Sequence, residues 1–350
     1  MSPHLPLSYS QRIIWAAEER QPGTAISTLA GVINRPPLDV KLFENAAQAF
    51  AKQTPWLGMR IYLDAEGIPV QSWVPEKSPF VDVITVASFG DAQARVMELA
   101  RERFEMYNSR LFRLTVLNYP GGSSFLARGH HILFDGTALL AVFNGILAEY
   151  DNLRIGVQRL PQSGSDYAEY IDEEATYLES SRFQRDERYW DDTFATIPEA
   201  TGLREDISGV GMTQRLVFEM PDELAATLAS SQKTIGHSRL TAVLGLFAAY
   251  VAELTGASDV SLATSVLGRS RRFERCVGMF ANVVPVRLRL DRDASVAVHL
   301  DFVRDALFSV LRHSRYPQEL ITERYHERTG ATGSLFDINV TYQDAALTVN

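Results

Sequence analysis

Two adjacent histidines precede an aspartate and a glycine in Gly129-His130-His131-Ile132-Leu133-Phe134-Asp135-Gly136-Thr137. A neutral imidazole, with an unperturbed pKa of ~6.5, suits general acid or base work near neutral pH. Ser124 to His130 (SFLARGH) reads as a strand, and Thr137 to Tyr150 (TALLAVFNGILAEY) as a helix that is apolar nearly all round. The histidines therefore stand where a strand stops and a buried helix starts. Side chains alternate along a strand, so His130 and His131 point to opposite sides; they cannot share a metal, and at most one is a direct catalyst. Asp135 or Thr137 can cap the helix, whose first backbone N–H groups are free to meet a developing oxyanion. Such a junction suits acyl transfer.

The elements around it alternate. Tyr119-Pro120-Gly121-Gly122 predicts a hairpin between Leu111–Asn118 and the strand that ends at the histidines. Upstream, the pattern predicts a helix over Ser8–Glu19, capped by Ser8 or Ser10, a strand over Thr28–Ile33, a helix over Val40–Lys52, strands over Leu57–Leu63 and Val70–Val74, and a helix over Asp91–Arg103. Gln158–Gly164 reads as a linker, followed by a charged helical stretch, Tyr167–Phe194, and a second linker, Glu199–Gly211. Strands at Thr213–Glu219, Val260–Val266, Val283–Leu290 and Asp337–Tyr342 then alternate with helices at Pro221–Ser231, Leu240–Leu254, Val296–Arg312 and Pro317–Arg324. The repeated alternation implies an α/β (α+β) chain of two lobes, 1–165 and 166–350.

At 350 residues the chain exceeds what one hydrophobic core usually serves. Apolar residues at 46% and charged residues at 22% exclude disordered and fibrous classes. With 34 Lys+Arg against 43 Asp+Glu, the net charge of −9 repels phosphate backbones, so nucleic acid is not an expected partner. The single cysteine, Cys276, can form no internal disulfide and no zinc site alone. Leu240–Leu254 is too short for the roughly 20 apolar residues of a membrane span, and the N-terminus has no export signal, so the expected location is cytoplasmic. Signatures of hydrolase elbows, P-loops, zincins and dinucleotide folds are missing from the sequence.

His130 to Gly136 resembles the HHxxxDG signature of nonribosomal peptide synthetase condensation domains. Six further segments resemble that family's motifs in order. Ser8–Trp15 is similar to SxAQxRxW, and Trp56–Ile61 to LRxxF, with Thr54-Pro55 in place of the usual His-Glu. Ser165–Tyr170 resembles YxDYAxW. Val277–Arg287 resembles GxFVNxxxxR with Ala281 for Val, His313–Glu319 resembles HQDxPFE with Gln318 for Phe, and Leu335–Gln343 resembles PLFxVxFxxQ.

The resemblance implies two chloramphenicol acetyltransferase-like lobes forming a V-shaped pseudo-dimer with a central channel. It implies His131 as the catalytic histidine, Asp135 as the partner of an arginine matched by Arg60, and Gly136 as the residue that leaves room and an N–H beside the reacting carbonyl. His130 and Arg60 would support the site, and Asn282, Gly278 and Arg287 would be architectural. The implied reaction is an amide-forming acyl transfer from an acyl or peptidyl thioester to an aminoacyl-carrier protein, as in lipopeptide assembly. The donor and acceptor ride on phosphopantetheine arms or coenzyme A as substrate carriers, with no permanently bound cofactor and no metal; no cofactor-binding residues are assigned. Partners would be carrier proteins and adjacent synthetase domains.

Retention of both histidines argues against heterocyclising and oxygenase-recruiting relatives. The acidic motif of epimerising relatives does not occur around Leu267-Gly268-Arg269. The first motif begins at Ser8, so a donor arriving in trans, as in chain-initiating domains fed by acyl-CoA, is expected. The family usually continues past the last motif, so a reduced or incomplete second lobe is expected too. The alternatives are a free-standing acyl-CoA-dependent O- or N-acyltransferase and a non-catalytic carrier-docking module.

Overall fold

Ser8 accepts the backbone N–H of Gln11 at 3.2 Å while the Gln11 side chain accepts the Ser8 N–H at 3.0 Å, so a reciprocal capping box starts the first helix. The computed structural model describes residues 4–22, 27–74, 81–157, 166–203 and 216–342. Among these residues two compact units separate. One comprises 4–178 with 269–280, the other 179–203 and 216–268 with 281–342. The helix over 167–178 therefore belongs to the first unit, whereas the sequence reading placed it in the second.

In the first unit the order is β1 (Leu5–Pro6), α1 (Tyr9–Arg20), β2 (Thr28–Arg35), α2 (Val40–Gln53), β3 (Met59–Leu63), β4 (Pro69–Trp73), β5 (Val81–Thr85), α3 (Phe89–Ala100), β6 (Phe112–Tyr119), β7 (Gly122–His130), α4 (Gly136–Arg154) and α5 (Tyr167–Leu178). One sheet runs β1-β4-β3, the other β2-β7-β6-β5. The β6–β7 hairpin forms as the turn residues predict, and β5, unforeseen in the sequence, adds in parallel to β6. Period-two alternation on β7 sends Phe125 and Ala127 into the main core, where Phe125 meets Phe43 of α2 and Phe143 of α4 at ring separations of 4.7 and 4.9 Å. Leu126 faces the other way, onto Ala92, Val96 and Leu99 of α3. Helices thus cover both faces of the sheet, and β7, central in it, is buried from end to end.

In the second unit, α6 (Ser181–Thr193), α7 (Asp222–Ile235), α8 (Arg239–Thr255), β8 (Asp259–Val266), β9 (Asn282–Arg289), α9 (Val296–Arg312) and α10 (Gln318–Thr329) follow in order. The charged helical stretch divides into two helices, because Ser180 caps α6 through the Phe183 N–H at 3.2 Å. Leu244, Ala248 and Val251 of α8 share a core with Val303 and Leu307 of α9 and with Leu262 and Val286 of the antiparallel β8–β9 pair.

The strand expected at Thr213–Glu219 does not form over its described part. Leu216, Val217 and Phe218 are all exposed, with no partner strand among the described residues to reward alternation. Asp337–Tyr342 reduces to one parallel bridge, Asn339 beside Ala263, held by Ala263 N–H to Ile338 O at 2.9 Å and Val340 N–H to Ala263 O at 2.8 Å. The expected linker at 158–164 and the 204–211 part of the second linker lie outside the described residues. Among the described residues no helix is long and apolar enough to cross a membrane.

Candidate active site

β7 ends at His130, whose backbone N–H reaches Leu111 O at 2.9 Å, and the chain turns at once. His131 donates its backbone N–H to Ser27 O at 2.6 Å, and the Leu133 N–H returns to His130 O at 3.0 Å. His130 is buried on the face it shares with Arg128 and Leu126, as strand alternation requires. Burial, and then the neighbouring His131, pull the His130 imidazole down to about 4, so its ring is neutral near pH 7. His131 is half-buried. Its Nδ1 is buried with no hydrogen-bond partner among the described residues, which leaves Nε2 as the ring nitrogen able to face a substrate.

Asp135 is the N-cap of α4, accepting the Ala138 N–H on Oδ1 at 2.8 Å. Its carboxylate is also bridged by one guanidinium nitrogen, Nη2 of Arg269, at 2.8 Å to Oδ1 and 2.9 Å to Oδ2. Phe280 donates its backbone N–H to Oδ2 at 3.2 Å. The same arginine gives Nη1 to the Cys276 carbonyl at 3.0 Å and stacks over the Phe280 ring at 4.3 Å. Both side chains of this pair are almost fully buried. Asp135 therefore ties the start of α4 to the 269–280 segment with charge-assisted bonds.

Arg60 is not that partner, which corrects the expectation drawn from the resemblance. It lies on β3 opposite Ser72, in the other sheet of the unit, and folds back so that Nη1 donates to the carbonyls of Gly58 and Met59 at 3.2 and 3.0 Å. Arg269 carried no spacing signal, because it comes 134 residues after Asp135.

Other motif residues converge on the same turn. Tyr167 hydrogen-bonds Ser8 Oγ at 2.9 Å and donates to Met279 O, so it joins the cap of α1 to the 269–280 segment. A Cβ on Gly278 would come within 2.0 Å of the Tyr167 ring, so only glycine lets this tyrosine seat. Gln11 pairs its amide with Gln71 at 2.8 Å and donates to the Ile132 carbonyl at 3.1 Å. Gly136, exposed at the start of α4, has nothing among the described residues within 4 Å of where a Cβ would sit. Its N–H and that of Thr137 have no intrahelical partner by helix geometry. Cys276 is buried and its thiol is pushed up to about 12, chiefly by burial, so it supplies no thiolate.

Asn282 and Arg287 belong to the second unit and do architectural work there. Asn282 gives its amide to the carbonyls of Ser314 and Tyr316, both at 2.9 Å, tying the start of β9 to the turn after α9. Arg287 pairs with Asp259 across β8 and β9.

The family model for the condensation domain matches residues 1–348, and the chain belongs to that family. Condensation domains are amide-forming acyltransferases of nonribosomal peptide synthesis. Surfactin synthase subunit 1 of Bacillus subtilis is 28% identical over 97% of this chain, and the isonitrile lipopeptide synthase of Streptomyces coeruleorubidus 26% over 91%. The chain spans 10% and 22% of the lengths of those two relatives. Among solved structures, the starter condensation domain of rhizomide synthetase with C8-CoA and Leu-SNAC superposes with a TM-score of 0.85 at 20% identity, covering 97% of this chain and 78% of that one. The first condensation domain of the calcium-dependent antibiotic synthetase, with a substrate analogue, gives 0.81 at 23%, covering 97% and 81%. These likenesses show the two-lobed chloramphenicol acetyltransferase-like fold.

Proposed function

We propose that this chain joins an acyl or peptidyl thioester donor to the α-amine of an aminoacyl-carrier protein, in the cytoplasm, as one step of nonribosomal peptide assembly. The observation that carries this reading is the buried Asp135–Arg269 pair, which fixes the turn from β7 to α4 and so presents the half-buried ring of His131 beside an open helix start. His131 Nε2 accepts a proton from, or orients, the attacking amine. The N–H groups opening α4 at Gly136 meet the tetrahedral oxyanion, and the donor thiol leaves as the carbonyl reforms. Gly136, with open space on its Cα, leaves room for the reacting carbonyl. Phosphopantetheine or coenzyme A enters and leaves as a substrate carrier, and carrier proteins and adjacent synthetase domains are the partners.

The test is to mix the protein with aminoacyl-loaded carrier protein and either a panel of acyl-CoAs or an acyl-loaded carrier, and to follow the acceptor carrier's mass. A gain of one acyl group that disappears in His131→Ala supports the reading, and the productive arm names the donor carrier. Transfer that survives in His131→Ala, or no transfer from either donor, overturns it. Acylation of a small soluble acceptor without any carrier would instead support the free-standing acyltransferase.

A further inference from the structure

Helix α1 grips the turn that carries His131 at two points, and the second has no assigned role. Gln11 donates to the Ile132 carbonyl at 3.1 Å. Glu18, seven residues and two turns further along α1, lies on the same helix face and is buried. Its Oε2 stands 3.8 Å from Nε2 of His130. Both atoms are shielded from solvent, and neither has a hydrogen-bond partner among the described residues. Buried polar atoms are rarely left unmet, and these two stand within 4 Å of each other.

The protonation pattern fits. His130 Nδ1 accepts the Ile132 N–H at 3.2 Å, so on a neutral ring the single proton sits on Nε2, facing Glu18. Neighbouring charges are engaged elsewhere. Arg128, on the same face of β7, is held by Glu102 at 2.6 Å and by the Leu99 carbonyl at 2.8 Å, and Glu19 accepts the Tyr107 hydroxyl at 2.6 Å.

We propose that Glu18 is a positioning residue for the condensation reaction: its carboxylate is the acceptor for His130 Nε2–H and so holds the turn that presents His131. The inference rests on the reading of His131 given above. A carboxylate behind an imidazole fixes its tautomer and ring orientation, and here His130 passes that constraint to the backbone of its neighbour through the Ile132 N–H.

The experiment pairs ring-nitrogen NMR of His130, assigned with His130→Asn, with steady-state kinetics of the full chain. The variants are Glu18→Ala and Glu18→Gln, the latter keeping an acceptor oxygen without the charge. Wild type should show His130 as the Nε2–H tautomer. Glu18→Ala should mix the tautomers and lower kcat about 10- to 100-fold, with KM for both thioesters within twofold of wild type. Glu18→Gln should restore most of kcat and the single tautomer. An Nδ1–H tautomer in the wild type, or wild-type kcat in Glu18→Ala, overturns the proposal. If Glu18→Ala fails to fold by circular dichroism, the wild-type tautomer and Glu18→Gln still decide: a tautomer unchanged from wild type with kcat down 10-fold or more in Glu18→Gln also overturns it. Wild type that forms no amide product refutes the functional reading, while the NMR still tests the Glu18–His130 contact.

Discussion

Arg287 meets Asp259 as a fork, Nε to Oδ1 at 2.8 Å and Nη2 to Oδ2 at 2.5 Å, and gives Nη1 to the carbonyls of Thr193 and Thr196. Arg269 meets Asp135 through Nη2 alone, and its Nε is buried without a partner among the described residues. The first pair has the geometry arginine favours and joins two strands to the end of a helix. In the second, the aspartate is also a helix cap, accepts the Phe280 N–H, and sits four residues after His131, so the carboxylate's position answers to the turn before it answers to the arginine. A buried pair that leaves a donor unmet is weak evidence for stability and better evidence for a position that must be kept.

Breaking each pair separates these roles. Arg269→Ala strands the Asp135 charge and should cost about 3–5 kcal/mol in urea unfolding. It should also lower condensation by the folded protein at least about 100-fold, because the turn under His131 loosens. Arg287→Ala should cost a similar amount, about 3–5 kcal/mol, but leave the turnover of the folded fraction at the wild-type level. Equal losses of turnover in the two variants would erase the distinction.

Acid tests the first unit through His130. Its folded-state value of about 4 lies below the ordinary 6.5, so the unfolded chain binds the extra proton between those values. Stability from this group is therefore complete above pH 6.5 and falls as pH drops toward 4, by on the order of 3 kcal/mol in all. Urea midpoints across pH 4–7 should show this slope in the wild type and a shallower one in His130→Asn.

A double-mutant cycle sharpens the correction made for Arg60. Asp135→Asn with Arg269→Met should show a coupling of about 0.5–3 kcal/mol, whereas Asp135→Asn with Arg60→Met should be additive to within about 0.5 kcal/mol. Gly136→Ala is the smallest structural change. A Cβ there meets nothing among the described residues, so stability should move by no more than about 0.5 kcal/mol. If Gly136 has the role proposed for it, the condensation rate should fall all the same, because the methyl enters the space assigned to the reacting carbonyl.

The strand, turn and helix around the histidines were legible because their signals are local: alternation into His130, Pro-Gly-Gly before it, and an apolar helix after Asp135. Strand periodicity placed His130 on the buried face it shares with Arg128, whereas His131 already lies in the turn, beyond the reach of that rule. Two kinds of feature escaped. β5 is short and half-exposed, with little pattern of its own, and becomes a strand because β6 offers it an edge. Conversely, the Leu216–Phe218 run has strand-like composition but is exposed and pairs with no strand among the described residues.

Sequence alone determined the family, through seven ordered motifs, and singled out the candidate residues at the turn, because an imidazole, a cap and a glycine are recognisable by type and spacing. Tertiary structure alone decided which arginine holds Asp135 and which carboxylate faces His130. Arg60 and Arg269 are chemically identical, and so are Glu18 and Glu19. Choosing between them takes the direction in which each side chain leaves its element, and that direction is set by packing between segments more than a hundred residues apart.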